Sequence, residues 1–419
     1  MKLLIINIKE LFQIEYFPKD KVCGKDMSHI NSIKDAYLYC EDGKISDFGE
    51  MKKLNKELNS TNINIIDAKG KMVLPAFCDS HTHIVFPSSR ENEFVDKING
   101  MSYEEIAKRG GGILNSSKKI KLISEEELYD ISYQRIKEIM LYGTGSVEIK
   151  SGYGLSTPEE LKILRVIKKL KETISINIKA TFLGAHAIPL EYKNNADEYV
   201  NIIINDMLPK VAEEGLADYI DVFCEKGFFT VEQTEKILEA GIKYNLKPKI
   251  HANELYLSGG VQAGVKYNAL SVDHLECISD NEIETLLKSD TIPTLLPATS
   301  FFLGLPYAPA KKLINAGLPI AMASDYNPGS APSGNMQFVF SLACIKYKLT
   351  PEEALNAITI NGAAAMEINN ITGSIAKGKD ADFIITKSIP SLTFMPYSFG
   401  SNKLDTLIIK GKPILKNLN

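Results

Sequence analysis

The sequence predicts an α/β fold: a TIM-like (β/α)8 barrel with a small β-sandwich domain formed by both chain termini. Three observations lead there. Short strand-like runs crowd both ends of the chain, the middle alternates strand with helix, and the middle holds eight such strands.

At the N-terminus, LLIINI, AYLYC and KISDFG read as strands parted by turn residues, and Asp42-Gly43 is a strong hairpin signal. The opening run is interrupted by Lys9, Glu10 and Glu15 and lacks a small-residue cleavage site, so it reads as a strand and not as a secretory leader. The barrel strands are expected at 73–78, 144–150, 176–184, 218–224, 247–251, 269–273, 291–296 and 318–323. KPKIH, at 247–251, is the least strand-like of them. Helical periodicity marks SEEELYDISYQRIKEIMLYG and TPEELKILRVIKKLKE. The second should start on Thr157 as N-cap, with Pro158 in first position and Glu160 closing a capping box; Thr350 and Glu353 repeat the pattern. An open doubly wound sheet is the architectural alternative, but no Gly-rich phosphate turn follows the first strand. The C-terminal GSIAKGKDADFIIT and TLIIKGKPIL are again strand-like, punctuated by Gly373, Gly378 and Gly411. The expected division is 1–72 plus 369–419 for the small β unit and 73–368 for the barrel.

Composition narrows the class. The chain has 419 residues, 44% hydrophobic and 24% charged, an ordinary globular profile. A net charge of −4 with scattered Lys and Arg leaves no footprint for nucleic acid. No apolar run approaches the roughly 18 residues of a membrane span. Six cysteines lie far apart with no CxxC pair, which points to reduced thiols and a cytoplasmic setting.

There are only six histidines, and five of them (His81, His83, His186, His251, His274) sit at or near strand ends. Barrel enzymes keep their chemistry where strands give way to loops. FCDSHTHIVF closes the first strand, and residues two apart on a strand face the same way, so His81 and His83 present both rings on one side. KIHANE, SVDHLE and AMASDYNPG deliver His251, His274 and Asp325 at the tips of strands five, six and eight. Asp325 before Asn327-Pro328-Gly329 is alternatively a turn cap, and an isolated HxH can be two ordinary histidines. Together, imidazoles and one carboxylate make a normal donor set for Zn²⁺ or Fe²⁺ with room for a water. Bound metal lowers the pKa of that water toward about 7.

This arrangement resembles the amidohydrolase superfamily along essentially the whole chain, including the terminal unit ending GSIAKGKDADFII. The resemblance implies that His81, His83, His251 and Asp325 bind the metal, with His274 beside them. In two-metal relatives a strand-four lysine or acid bridges the ions; here Glu225 and Lys226 in YIDVFCEKG are the residues available, and Glu225 is alternatively a buried ion-pair partner. One zinc or iron ion per subunit is expected.

FPSSRENEF, GGGILNS, EIKSGYGLS, TFLGAHAIP, DVFCEKGFF, HANEL and SDYNPGSAPS resemble, as a set, one ring-opening branch of the superfamily. That branch hydrolyses the cyclic amide of 4-imidazolone-5-propanoate with a metal-bound hydroxide, giving N-formimidoyl-L-glutamate in L-histidine degradation. The resemblance then implies substrate contacts from Arg90, Tyr153, His186, Glu254, Asn327, Gly329 and Ser330. Arg90 suits a carboxylate arm through its bidentate fork, and the alternative is a surface loop arginine. His186 would bond a ring carbonyl or the arm, and Tyr103 either lines the arm's pocket or packs in a helix core. Glu254 accepts a ring N–H, shuttles a proton, or merely orients His251. Glu254, His274 and Asp325 are the catalytic acid–base candidates, their division of labour left open. One departure is visible: PSSR stands where the branch has glycines, which bears on the loop's path and not on the arginine. A homodimer is expected as well, with no nucleic-acid or membrane partner. The rival readings are a purine or pyrimidine aminohydrolase with the same metal set, and a non-catalytic barrel scaffold.

Overall fold

The barrel forms because its strands, apolar on the helix side, are buried on both faces. In the computed structural model, which describes residues 1–55, 63–101, 105, 109 and 111–414, the strands run in chain order. They are β1 Phe77–Asp79, β2 Thr144–Lys150, β3 Asn177–Ala185, β4 Tyr219–Cys224, β5 Lys247–Ala252, β6 Ser271–His274, β7 Ile292–Leu295 and β8 Ala321–Met322. Each pairs in parallel with its sequence neighbour. The ring closes just past β1 and β8, where the Asp325 N–H donates to the His81 carbonyl at 3.0 Å and the His83 N–H to the Tyr326 carbonyl at 2.9 Å. Closure therefore runs through two of the expected metal-binding segments.

The terminal strands make a second eight-stranded sheet. Met72–Pro75 pairs antiparallel with Phe383–Thr386, which stitches the two chain ends together. The sheet curls over its own core, in which Leu38, Ile45 and Phe48 meet Phe383, Ile385 and Ile408. The hairpin at Asp42-Gly43 forms as expected, with φ of 50° and 81° at its two central residues, the primed turn that matches strand twist.

Two local expectations are corrected. The run at 73–78 is not one strand: Met72–Pro75 belongs to the terminal sheet and only Phe77–Asp79 to the barrel. The backbone changes partner across one residue, the Ala76 N–H donating to Asp382 and the Phe77 N–H to Gly143. Thr157 is not the cap of helix Thr157–Thr173 either. Ser156 holds that position, and Glu160 closes no capping box. Its carboxylate turns the other way and accepts the N–H groups of Gly152 (3.0 Å), Gly154 (2.6 Å) and Leu155 (3.0 Å). The Thr350–Glu353 capping box is present. None of the six cysteines is paired, and among the described residues no helix is long and apolar enough to cross a membrane.

Candidate metal centre and active site

The four expected ligands converge at the C-terminal mouth of the barrel. Asp325 Oδ1 lies 3.5 Å from His81 Nε2 and 3.6 Å from His83 Nε2, and His251 Nε2 lies 3.4 Å from His83 Nε2. All four side chains are buried. Asp325 reaches the cluster from a left-handed backbone (φ 53°), as does His274 (φ 86°). Such strain in non-glycine residues persists only where surrounding structure imposes it.

What holds the rings is buried one layer down. His81 Nδ1 lies 2.6 Å from Asp273 Oδ2, and His251 Nδ1 lies 3.1 Å from Asp221 Oδ1. Each contact calls for a proton on Nδ1 and leaves the Nε2 lone pair facing the cluster. Burial, reinforced by neighbouring cations and imidazoles, holds His81, His83 and His274 well below the usual histidine range, so they are neutral donors. His81 Nε2 is buried without a hydrogen-bond partner. Lone pairs facing one another beside a carboxylate are what a cation resolves, so the residues fit a bound metal.

Beneath the rings, Lys150 Nζ sits 2.6 Å from Glu148, 2.7 Å from Asp221 and 3.5 Å from Asp273, while Lys249 contacts Glu148. These five charges are all fully buried. A buried charge without a partner is costly, so the network is stable only as a complete set. Asp221, and not Glu254, orients His251. Glu225 accepts backbone N–H groups from Leu255 (3.1 Å) and Lys226 (2.9 Å), tying the loop after β4 to that after β5, and it forms no ion pair among the described residues.

Above the cluster opens a cavity of about 560 Å³, lined by Arg90, Tyr153, His186, Glu254, His274, Asn327, Gly329 and Ser330. His186 Nδ1 lies 3.1 Å from the Gly152 carbonyl, its ring stacks on His83, and burial lowers its pKa to about 3. A neutral His186 donating to Gly152 presents Nε2 as an acceptor, which suits a ring N–H better than a carbonyl or a carboxylate arm. The PSSR loop still delivers Arg90 to the cavity, at the N-cap of helix Glu91–Ile98. A Cβ on Gly329 would lie 1.6 Å from Arg90 Nη2, so glycine is the residue that lets the guanidinium pass. Asn327 is engaged within its own loop: Oδ1 accepts from Gly329 and Ser330, and Nδ2 donates to the Asp325 carbonyl and to Ser330 Oγ. Tyr103 lies outside the described residues.

Sequence reading missed Glu276. Its Oε2 and that of Glu254 both stand 3.9 Å from His274 Nδ1. Burial, then the charges of Asp325 and Glu225, push Glu276 up to about 8 against a hydrogen bond from Ser300. Burial likewise raises Glu254 well above the usual carboxylate range. Burial thus favours the neutral form of both acids that flank His274.

The amidohydrolase family model matches residues 72–414. The chain is 57% identical to an imidazolonepropionase of Christiangramia forsetii over 414 residues, covering 99% of this chain and 100% of the relative. It is equally 57% identical to one from Flavobacterium johnsoniae over 411 residues, 98% and 99% of the two chains. Among solved structures, an E. coli guanine deaminase superposes with a TM-score of 0.76 at 16% identity over 99% of both chains, a likeness in fold. The chain belongs to the amidohydrolase family and, within it, to the imidazolonepropionases.

Proposed function

We infer that the chain hydrolyses the ring amide C–N bond of 4-imidazolone-5-propanoate to give N-formimidoyl-L-glutamate. The observation that carries this is the 57% identity over the full length of imidazolonepropionases, and the cavity chemistry agrees with it. His81, His83, His251 and Asp325 would hold one zinc or iron ion; a single ion suits a site in which Glu225 is engaged by backbone N–H groups. When bound, the metal supplies a nucleophilic hydroxide at neutral pH and polarises the carbonyl.

The chain's own residues do the rest. Arg90 anchors the propionate arm, with Gly329 leaving space for its fork. Tyr153 and His186 line the ring's place, His186 accepting a ring N–H through Nε2. Asp325, fixed by Thr299 Oγ1 donating to Oδ2 at 2.6 Å, stands with His274 where an attacking water must be oriented. Protonated Glu254 donates to the nitrogen that leaves when the ring opens. Asn327 shapes the loop that carries Gly329 and Ser330. A homodimer in the cytoplasm is the expected setting.

A purine or pyrimidine aminohydrolase would share the metal set and the fold, yet it would not require an arginine fork. Arg90→Lys keeps the charge and loses the fork, so KM for 4-imidazolone-5-propanoate should rise roughly tenfold or more. An unchanged KM would show that the arm is held elsewhere.

A further inference from the structure

We propose that Lys150 is a positioning residue for the metal centre: one buried ammonium sets the aim of His81 and His251 together, through Asp273 and Asp221. The proposal rests on the reading of His81, His83, His251 and Asp325 as a metal site. Lys150 Nζ lies 2.7 Å from Asp221 Oδ2 and 3.5 Å from Asp273 Oδ2. Those same oxygens meet the rings, His251 Nδ1 at 3.0 Å and His81 Nδ1 at 2.6 Å. An ammonium carries three donors, so it can hold together acids that would otherwise repel.

The ammonium is itself fixed. Glu148 stands two residues back on β2, on the same face, and its Oε1 accepts from Lys150 Nζ and from Thr181 Oγ1, each at 2.6 Å. Lys249 holds the other Glu148 oxygen. The backbone of β2 grips the HxH segment as well. The Lys150 N–H donates to the Thr82 carbonyl at 2.8 Å, and Thr82 Oγ1 donates to the Glu148 carbonyl at 2.6 Å. Thr82 lies between His81 and His83. The pair Glu148 and Lys150 therefore bears on three of the four expected ligands, by side chain and by backbone. A role in charge balance alone has the opposite sign. A positive charge this close to a bound dication repels it, so an ammonium that only neutralised the acids would weaken metal binding. Positioning strengthens it, because rings aimed in advance need no reordering when the ion arrives.

Zinc affinity, read by chelator competition, separates the two roles. Wild-type protein that binds no metal would overturn the metal reading itself, and not this proposal alone. With metal bound, Lys150→Met should lower the affinity about 10–100-fold, the usual effect of disturbing what orients a ligand. The absorption spectrum of cobalt-loaded protein should shift as well, because displaced imidazoles change the field at the ion. An unchanged or tighter affinity would overturn the proposal, and so would a weaker affinity with a wild-type cobalt spectrum. Where Lys150→Met does not fold, Asp221→Asn, Asp273→Asn and their combination give the test with Lys150 in place. Aspartates set by one ammonium act as a unit, so the double variant should lose little more affinity than the weaker-binding single variant. Losses that multiply would show that each aspartate works alone, and would overturn the proposal.

Discussion

Asp273 Oδ2 meets His81 Nδ1 at 2.6 Å, and both side chains are fully buried. The carboxylate also accepts from Ser271 Oγ at 2.5 Å, so its orientation is fixed from two sides. Asp273→Asn keeps the shape but no longer favours the tautomer that aims Nε2 at the metal. Metal affinity should fall about 10–100-fold, the usual effect of losing a ligand's hydrogen-bond partner. Chelator competition reads the affinity, and activity should return with excess metal. Unaltered affinity would mean that Asp273 serves only the buried charge network.

Gly329→Ala places a methyl group where Arg90 Nη2 stands, 1.6 Å from the would-be Cβ. The guanidinium must move, so KM should rise at least roughly tenfold, as expected when a bidentate contact is lost. Metal content should be unchanged, because the atoms nearest the added methyl group all belong to Arg90 and none to the four expected ligands. Steady-state kinetics with metal analysis on the same sample checks both.

Glu160→Gln probes the loop that carries Tyr153. One carboxylate oxygen would become an NH2 facing the N–H groups of Gly152, Gly154 and Leu155, leaving buried donors unpaired. Stability should fall by ~1–3 kcal/mol, read as a lower Tm. KM should rise as Tyr153 and His186 lose register, with metal retained. A lower Tm with unchanged KM would confine Glu160 to stability.

Glu254→Gln tests the proton donor. Burial, reinforced by Glu276, Asp325 and Glu225, raises the Glu254 pKa well above the usual range, against the pull of Lys97. A group that works as an acid is active below its raised pKa and is lost as pH rises through it. Glu254 should therefore shape the alkaline limb of kcat, and Gln should remove that limb while lowering kcat about 10²–10⁴-fold with metal retained. Near-normal kcat in the variant would move the proton to His274 and its other neighbour, Glu276.

That His81, His83, His251 and Asp325 come together was legible in the sequence because each lies at or just past the end of a strand, and HxH spacing aligns two of the rings. The barrel followed from the alternation of strand and helix. Less legible was whatever sits inside strands and loops with no motif of its own. Lys249 and His251 are two apart on β5, as are Glu148 and Lys150 on β2, and period-two charges in buried strands were the available signal for the inner network. KPKIH reads as a poor strand for that reason: Lys249 is fully buried by ion pairing and not by apolarity. Glu160 shows the opposite failure, since its spacing mimics a capping box while its carboxylate folds back on the preceding loop. Nothing in the sequence around Glu254 marks its titration as unusual; its burial beside other acids is what raises it.

The most direct measurement is turnover by purified protein of 4-imidazolone-5-propanoate, with guanine as the rival substrate and metal content determined before and after chelation. We expect N-formimidoyl-L-glutamate to form, close to one zinc or iron per chain, loss of turnover on chelation with recovery on metal return, and no release of ammonia from guanine. Deamination of guanine with the imidazolone ring left intact, or ring opening that survives complete metal removal, would contradict the account.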